Sequence, residues 1–359
     1  MKTKDLLMDE ESLFKDENVF TPNYIPEDFV HRDSQLEEIG LSLKPGLRGV
    51  NPVNALLHGP PGTGKTTAVR FIFDKLKEAS GKLIPVYVNC EDFSTPYSIF
   101  ARIYEAVLGV SPPSTGKPLE DVKERLFRQL KKEDKGIVIA LDELDRLFLE
   151  KNVDRVLVDL LKSHATYGYD RIGVIGIMIK DDLMAELDEK ARSVFNPGRV
   201  LFPQYEPGEI RDILANRARH GFYDGVLDDE LLDDIVDKTH CKGDLRVGID
   251  LLRRSALLAE RDASRKIEQG HVDKAFGSLS ESRREELSEN LPDEERILLD
   301  IIAECPGRMS GYFFMRFREK TGAGVKKYNE IVKRLERQGL IKAEYKKGVR
   351  GRSREIRLS

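Results

Sequence analysis

Apolar residues along the chain follow two periods. Unbroken runs at 53–57, 83–88, 136–141, 172–179 and 200–202 carry little polar alternation, as strands buried on both faces do. Between them apolar residues recur every three or four positions, as Leu36, Ile39 and Leu43 do within 32–43. Strand-length runs separated by helices predict an α/β fold, a parallel five-stranded sheet covered on both faces. From 206 to about 275 only helical spacing remains. Pro207-Gly208-Glu209 and Asp228-Asp229-Glu230 start helices there, which predicts a small helical lid. The stretch 278–290 is charged and poor in apolar residues, so the domains are expected at 1–205, 206–282 and 283–359.

The last domain is predicted to hold helices over 291–302, 312–320 and 325–338. On the third, Val325, Tyr328, Ile331, Val332 and Leu335 share one face, while Lys326, Lys327, Lys333, Arg334 and Arg337 fill the other. Alternation over 340–345 and 354–358 adds two strands around the basic, glycine-containing 346–352. Three helices and a basic hairpin predict a winged-helix domain. Its third helix would enter the major groove of duplex DNA, with Arg350, Arg352 and Arg354 on a flexible tip beside it. Asn329 is placed to read a base, and the lysines and arginines to touch phosphate.

Charge sharpens this picture. The net charge of −4 combines +10 over residues 316–359 with −14 over the rest. A basic tail on an acidic body points to a polyanionic partner for the C-terminal part. With 34% charged residues and no apolar run long enough to span a bilayer, the chain is expected to be cytoplasmic and nucleoid-associated, with no membrane partner. The polar start lacks the apolar core of a signal peptide, and 1–18 reads as a loosely held arm. Cys90, Cys241 and Cys305 lie far apart, so three buried thiols are expected rather than a disulfide framework or a zinc site.

The chemistry concentrates where the first run ends. Gly59-Pro60-Pro61-Gly62-Thr63-Gly64-Lys65-Thr66-Thr67 fits the phosphate-loop pattern G-x-x-x-x-G-K-[ST] between a strand and a helix. The glycines let successive N–H groups turn around a phosphate, and Lys65 supplies a point charge for the β- and γ-phosphates. The Thr66 hydroxyl is placed to ligate Mg²⁺, and the helix presents its positive end to the same anion. About 80 residues on, Val138-Ile139-Ala140-Leu141 delivers Asp142 and Glu143 at the ligand edge of a buried strand. Asp142 would hold Mg²⁺ through its water shell, and Glu143 would orient and deprotonate an attacking water. Together these predict ATP or ADP with Mg²⁺ as cofactors and a weak ATPase used as a switch. The aromatic, proline-rich Phe20 to Pro26 either caps an adenine ring or packs in the core.

GPPGTGKT followed by LDELD resembles the AAA+ ATPases of the initiator branch, which holds the archaeal origin recognition and cell-division-cycle type proteins. The resemblance covers nearly the whole chain. It implies that Phe29, Val30, His31 and Arg32 lie beside the adenine, and that an insertion touches DNA near Pro113, Thr115 and Lys117. It also implies that Gly243-Asp244-Leu245-Arg246 is a second sensor, whose Arg246 bridges a mobile lid to the γ-phosphate and so joins Lys65 and Glu143 as a catalytic group. GRSREIRL at 351–358 is similar to the family's wing. Implied partners are origin duplex DNA, paralogous initiator subunits and the replicative helicase. Two positions depart from the pattern: Ile179 stands where an asparagine usually holds the attacking water, and Lys190, with Arg192 nearby, stands where an arginine finger is usual. Lysine lacks the guanidinium fork, so slow hydrolysis with intact binding is expected. The alternative is a regulatory or signalling NTPase whose winged helix is a protein-interaction module.

Overall fold

The computed structural model describes residues 12–79, 81–112, 118–289, 291–304, 308–345 and 354–358. The chain divides into two compact units, Met1–Val272 and Asp273–Ser359.

The first unit is built on five parallel strands: β1 (Ala55–His58), β2 (Leu83–Asn89), β3 (Gly136–Asp142), β4 (Ile172–Met178) and β5 (Gly198–Leu201), in the order β2-β3-β4-β1-β5. All five expected strands are present, with ends shifted by at most two residues. Strand pleating sends alternate residues of each run to opposite faces, and both faces are apolar. Ile137, Ile139 and Leu141 join a core with Phe100, Phe127 and Leu157 from the helices Pro96–Leu108, Leu119–Lys132 and Val153–Leu161. Val138 and Ala140 join the opposite core, closed by Ala68, Val69, Phe73 and Leu76 on one face of the helix Lys65–Ala79. The sheet is therefore fixed from both sides, and its C-terminal edge, where β1 and β3 end, is held in place.

Three helices follow, Pro207–Gly221, Asp229–Lys242 and Leu245–Arg261. Asp228 and Asp244 cap the second and third by accepting from the N–H groups of Leu231 and Arg246, and Gly243 ends the second at φ 65°. The segment expected to be a loose arm is instead tied to this lid from residue 12 onward. Phe14 and Phe20 pack on Phe222, the Phe20 ring stacking at 4.5 Å. The N–H of Lys15 bonds the Gly221 carbonyl at 2.8 Å, and Glu17 pairs with Arg253 at 2.8 Å. Phe20 is thereby committed to the lid core rather than to an adenine.

The second unit carries the helices Asp293–Glu304, Ser310–Thr321 and Val325–Arg337 and an antiparallel sheet of β6 (Arg308–Met309), β7 (Ile341–Tyr345) and β8 (Arg354–Leu358) in the order β6-β8-β7. Its own core gathers Leu298, Ile302, Phe313, Phe317, Ile331, Leu335 and Ile356. The two-residue β6 is too short to leave a pattern in the sequence. Stretch 278–290, expected to separate domains, lies largely in the helix Gln269–Glu289, which crosses the division after Val272. Two further expectations are corrected. Val325 is exposed, because it starts its helix before the packed face begins, and Cys241 is exposed while Cys90 is buried. Cys305 lies outside the described residues.

Phe20→Ala is expected to lower the unfolding free energy by about 3–5 kcal/mol in a urea titration, as loss of a buried aromatic ring does. A change below about 1 kcal/mol would mean that the Phe20–Phe222 stack does not hold this segment to the lid.

Candidate functional site

β1 ends at His58 and the chain turns through 59–64 before the helix opens at Lys65. Two glycines make that turn possible. Gly59 has φ 145° and Gly62 φ 70°; a Cβ would lie 2.1 Å from the Phe202 carbonyl oxygen at the first and 2.0 Å from Asp244 Oδ1 at the second. The helix begins directly after Gly64, so its unbonded N–H groups face the turn.

Lys65 is buried, and its ammonium donates to the Gly59 and Pro60 carbonyls at 2.6 and 2.7 Å. Burial lowers its pKa, against the opposing pull of Asp142 and Asp145. The lysine thus stores its charge on its own loop, in reach of any phosphate that enters.

The Thr66 hydroxyl donates to Asp142 Oδ2 at 2.7 Å, joining the first turn of the helix to the end of β3. One hydroxyl and one buried carboxylate supply only oxygen donors, and too few to enclose a cation. That suits Mg²⁺, which keeps waters and shares nucleotide phosphates. Asp142 Oδ1 accepts the Glu143 N–H at 3.0 Å. Glu143 then turns the chain at φ 54°, a left-handed conformation that costs a non-glycine residue about 1–2 kcal/mol. The turn leaves the Glu143 side chain exposed at the rim. Partial desolvation, then the charges of Asp142, Glu91 and Asp145, raise its pKa.

β4 stitches this edge together through the backbone of Ile179. Its carbonyl accepts from Gly59 N–H at 3.1 Å, and its N–H donates to Asp145 Oδ2 at 3.2 Å. The Ile179 side chain is half exposed and offers only hydrocarbon. Lys190 is exposed, whereas Arg192 donates to the Ala185 and Leu187 carbonyls at 2.7 and 2.8 Å and is held within its own loop. Arg246 turns back on Asp244, its Nη2 2.6 Å from Oδ2, and this hydrogen bond raises its pKa.

The four residues expected beside the adenine divide. Phe29 lies against Gly64 and stacks on Phe71 at 5.9 Å, while Val30 is exposed. His31, at φ 62°, places Nε2 3.0 Å from Asp212 of the lid. Arg32 is 3% exposed and is a clamp on backbone: it donates to the carbonyls of Thr63 at 3.2 Å, His31 at 3.0 Å and Pro203 at 2.7 Å, its guanidinium 3.7 Å from the Tyr205 ring centre. Tyr87 and Tyr205 lie at the site and were missed, while Asp145 and Asp244 fell inside the LDELD and Gly243–Arg246 motifs without a partner of their own being foreseen. Nothing local marks the two tyrosines, because each is brought in by a distant element.

The second candidate surface is the helix Val325–Arg337. Lys326, Lys333 and Arg337 fall on one stripe and are exposed, with no carboxylate partner among the described residues. Lys327 pairs with Glu294 at 2.6 Å, and Arg334 with the buried Glu295 at 2.6 Å. Asn329 is half-buried. Arg354 opens β8 opposite Tyr345 rather than sitting on the tip, and its Nη1 lies 3.8 Å from Glu336. Pro113, Thr115, Lys117, Arg350 and Arg352 lie outside the described residues.

Arg32→Ala would take the donor from three backbone carbonyls, one buried and two part-buried. It is expected to destabilise the nucleotide-free protein by about 3 kcal/mol in urea unfolding. Lost nucleotide affinity with unchanged nucleotide-free stability would return Arg32 to the role of a ligand.

Known proteins match this arrangement. A family model described as an AAA domain matches residues 52–178, and one described as the Cdc6 AAA+ ATPase-type lid domain matches residues 211–277. The chain is 38% identical over 353 residues to ORC1-type DNA replication protein 2 of Methanothermobacter thermautotrophicus, covering 98% of this chain and 93% of the relative. It is 40% identical over 358 residues to the protein of the same name from Methanosarcina mazei, covering 99% and 96%. Among solved structures, Aeropyrum pernix ORC1 in complex with DNA superposes with a TM-score of 0.72 at 29% identity, over 97% of this chain and 94% of that one. The ADPNP–ADP complexes of A. pernix ORC2 give 0.67 at 26%, with the same coverage. With sheet, phosphate loop, lid and near full-length similarity in agreement, the chain belongs to the archaeal ORC1/Cdc6 family of AAA+ DNA replication proteins.

Proposed function

We propose that this protein is a DNA replication initiator that binds origin duplex DNA under the control of bound ATP or ADP. The observation that carries the nucleotide half is the meeting of Thr66 and Asp142, remote in sequence, at 2.7 Å on the C-terminal edge of the sheet. In this reading the N–H groups after Gly62 cradle the phosphates, and Lys65 exchanges its loop carbonyls for phosphate oxygens. Thr66 and Asp142 would hold Mg²⁺, which when bound would screen the phosphate charge, and Glu143 would take the proton of the attacking water. Arg246 reaches the γ-phosphate by leaving Asp244, so the lid reports which nucleotide is bound. With Ile179 and Lys190 at the two weak positions, turnover is slow and the nucleotide acts as a switch.

The DNA half rests on the stripe Lys326, Lys333 and Arg337, none of which forms an ion pair among the described residues; Glu330, on the same side, pairs with Arg334. The DNA named in the A. pernix ORC1 complex supports the same partner. Assembly with paralogous subunits and recruitment of the replicative helicase complete the proposal and follow from the family alone. The protein acts in the cytoplasm, at the nucleoid; among the described residues no helix is long and apolar enough to cross a membrane.

Two measurements test these halves. Each phosphate that a cation ceases to neutralise reduces the slope of log K against log salt by about 0.9, so Lys333→Ala and Arg337→Ala should each do so, and Lys327→Ala much less. Equal salt slopes for wild type and both stripe variants would remove the stripe from the interface. For hydrolysis, the raised pKa of Glu143 sets the sign. The carboxylate is the working form, so the rate should fall as pH drops through a value above the ordinary glutamate range, while ATP binding persists. Glu143→Gln should lower turnover by about a hundredfold or more and remove that limb of the profile.

A further inference from the structure

Tyr87 has no part in the chemistry described so far, yet its hydroxyl lies on the metal-binding carboxylate. It is the fifth residue of β2, the edge strand, and pairs in register with Ala140, two residues before Asp142. Its hydroxyl donates to Asp142 Oδ2 at 2.6 Å, the same oxygen that receives the Thr66 hydroxyl at 2.7 Å. Oδ1 accepts the Glu143 N–H at 3.0 Å. An ionised carboxylate has about four lone-pair sites. Three are filled by these donors, from β2, from the phosphate-loop helix and from the turn after β3. One lone pair, on Oδ1, is left.

The tyrosine is itself held. The Arg70 guanidinium lies 4.6 Å from its ring centre and donates to Asn23 Oδ1 at 3.2 Å. A ring at a sheet edge could turn its hydroxyl to water; here it is fixed between a cation and a buried anion. Donors that orient a metal-binding carboxylate set the affinity for the metal without touching it.

We propose that Tyr87 is a positioning residue for Mg²⁺: its hydroxyl locks Asp142 so that the single free lone pair on Oδ1 is the one offered to a metal-bound water. This rests on the nucleotide reading above and extends it to a residue outside the phosphate-loop and Asp142–Glu143 motifs. Tyr87→Phe removes one oxygen and keeps the ring. ATP binding measured against free Mg²⁺ should then need about tenfold more Mg²⁺ to reach its midpoint, within the range found when such supporting groups are lost. In EDTA the variant and the wild type should bind ATP equally, which a merely misfolded site would not do.

A double-variant cycle adds a second readout. In an Asp142→Asn background, Tyr87→Phe should shift the Mg²⁺ midpoint no further, because the hydroxyl acts only through the carboxylate. An unchanged midpoint for Tyr87→Phe alone, or a full further shift in the Asn background, overturns the inference and leaves the nucleotide reading standing. A wild-type protein that fails to bind ATP, or binds it without regard to Mg²⁺, overturns both.

Discussion

The carboxylate of Asp142 is the joint on which the site depends. It is 5% exposed, and such an anion persists only when its oxygens are filled. The donors come from β2, from the helix Lys65–Ala79 and from the turn after β3, so three elements must be in register before the charge is tolerated. β1 and β3 are not neighbours. β4 lies between them, and the Ile179 backbone at its end links the phosphate loop on one side to Asp145 on the other. A parallel sheet packed on both faces supplies the rigidity this needs. The strain at Glu143 is the local cost of ending β3 on a buried acid and turning the next acid out to solvent.

The second unit shows how little a count of cations says about a surface. The polar face of its third helix reads as one basic surface by sequence, yet its cations sort into two stripes. Lys327 and Arg334 turn to Glu294 and Glu295 at the start of the helix Asp293–Glu304. Glu295 is 2% exposed, so Arg334 answers a buried charge, and removing Arg334 would leave that carboxylate uncompensated, whereas Arg334 keeps Glu330 at 3.6 Å. These two cations hold helices together. Lys326, Lys333 and Arg337 have no such duty among the described residues, and a phosphate can take them without breaking anything internal.

What was legible in the sequence were features whose cause is local. The strands betray themselves by burial on two faces, the phosphate loop by residues that only a tight anion-binding turn requires, and the helix Val325–Arg337 by its periodicity. What stayed hidden were side chains whose role is set by a partner far along the chain. Arg32 sits in a stretch that looks like a nucleotide contact, but its three acceptors include the Pro203 carbonyl. Phe14 reads as part of an arm, and Phe20 as either an adenine cap or a core residue, because their partner Phe222 lies some two hundred residues on. Tyr87 is one aromatic in a strand until the sheet brings it to Asp142. Arg354 looked like a tip residue because nothing in the hairpin's sequence says where the ladder ends.

The pairing of Arg246 with Asp244 bears on how the lid responds. A side chain 68% exposed sets one end of this bond, and a pair so open to water contributes at most about 1 kcal/mol. In the proposed nucleotide complex a triphosphate would compete with it beside Lys65 and the helix N-terminus, offering a guanidinium two oxygens in fork geometry. The exchange of partners is therefore set by the phosphate and not by the strength of the resting pair. Asp244, though, does not become idle when Arg246 leaves. It still caps the helix Leu245–Arg261 and still presses on Gly62, so the lid stays keyed to the phosphate loop at the point where the loop must close around its ligand. In the proposed switch, a lid linked in this way by a cap and freed of its arginine pair would move in answer to what occupies the loop.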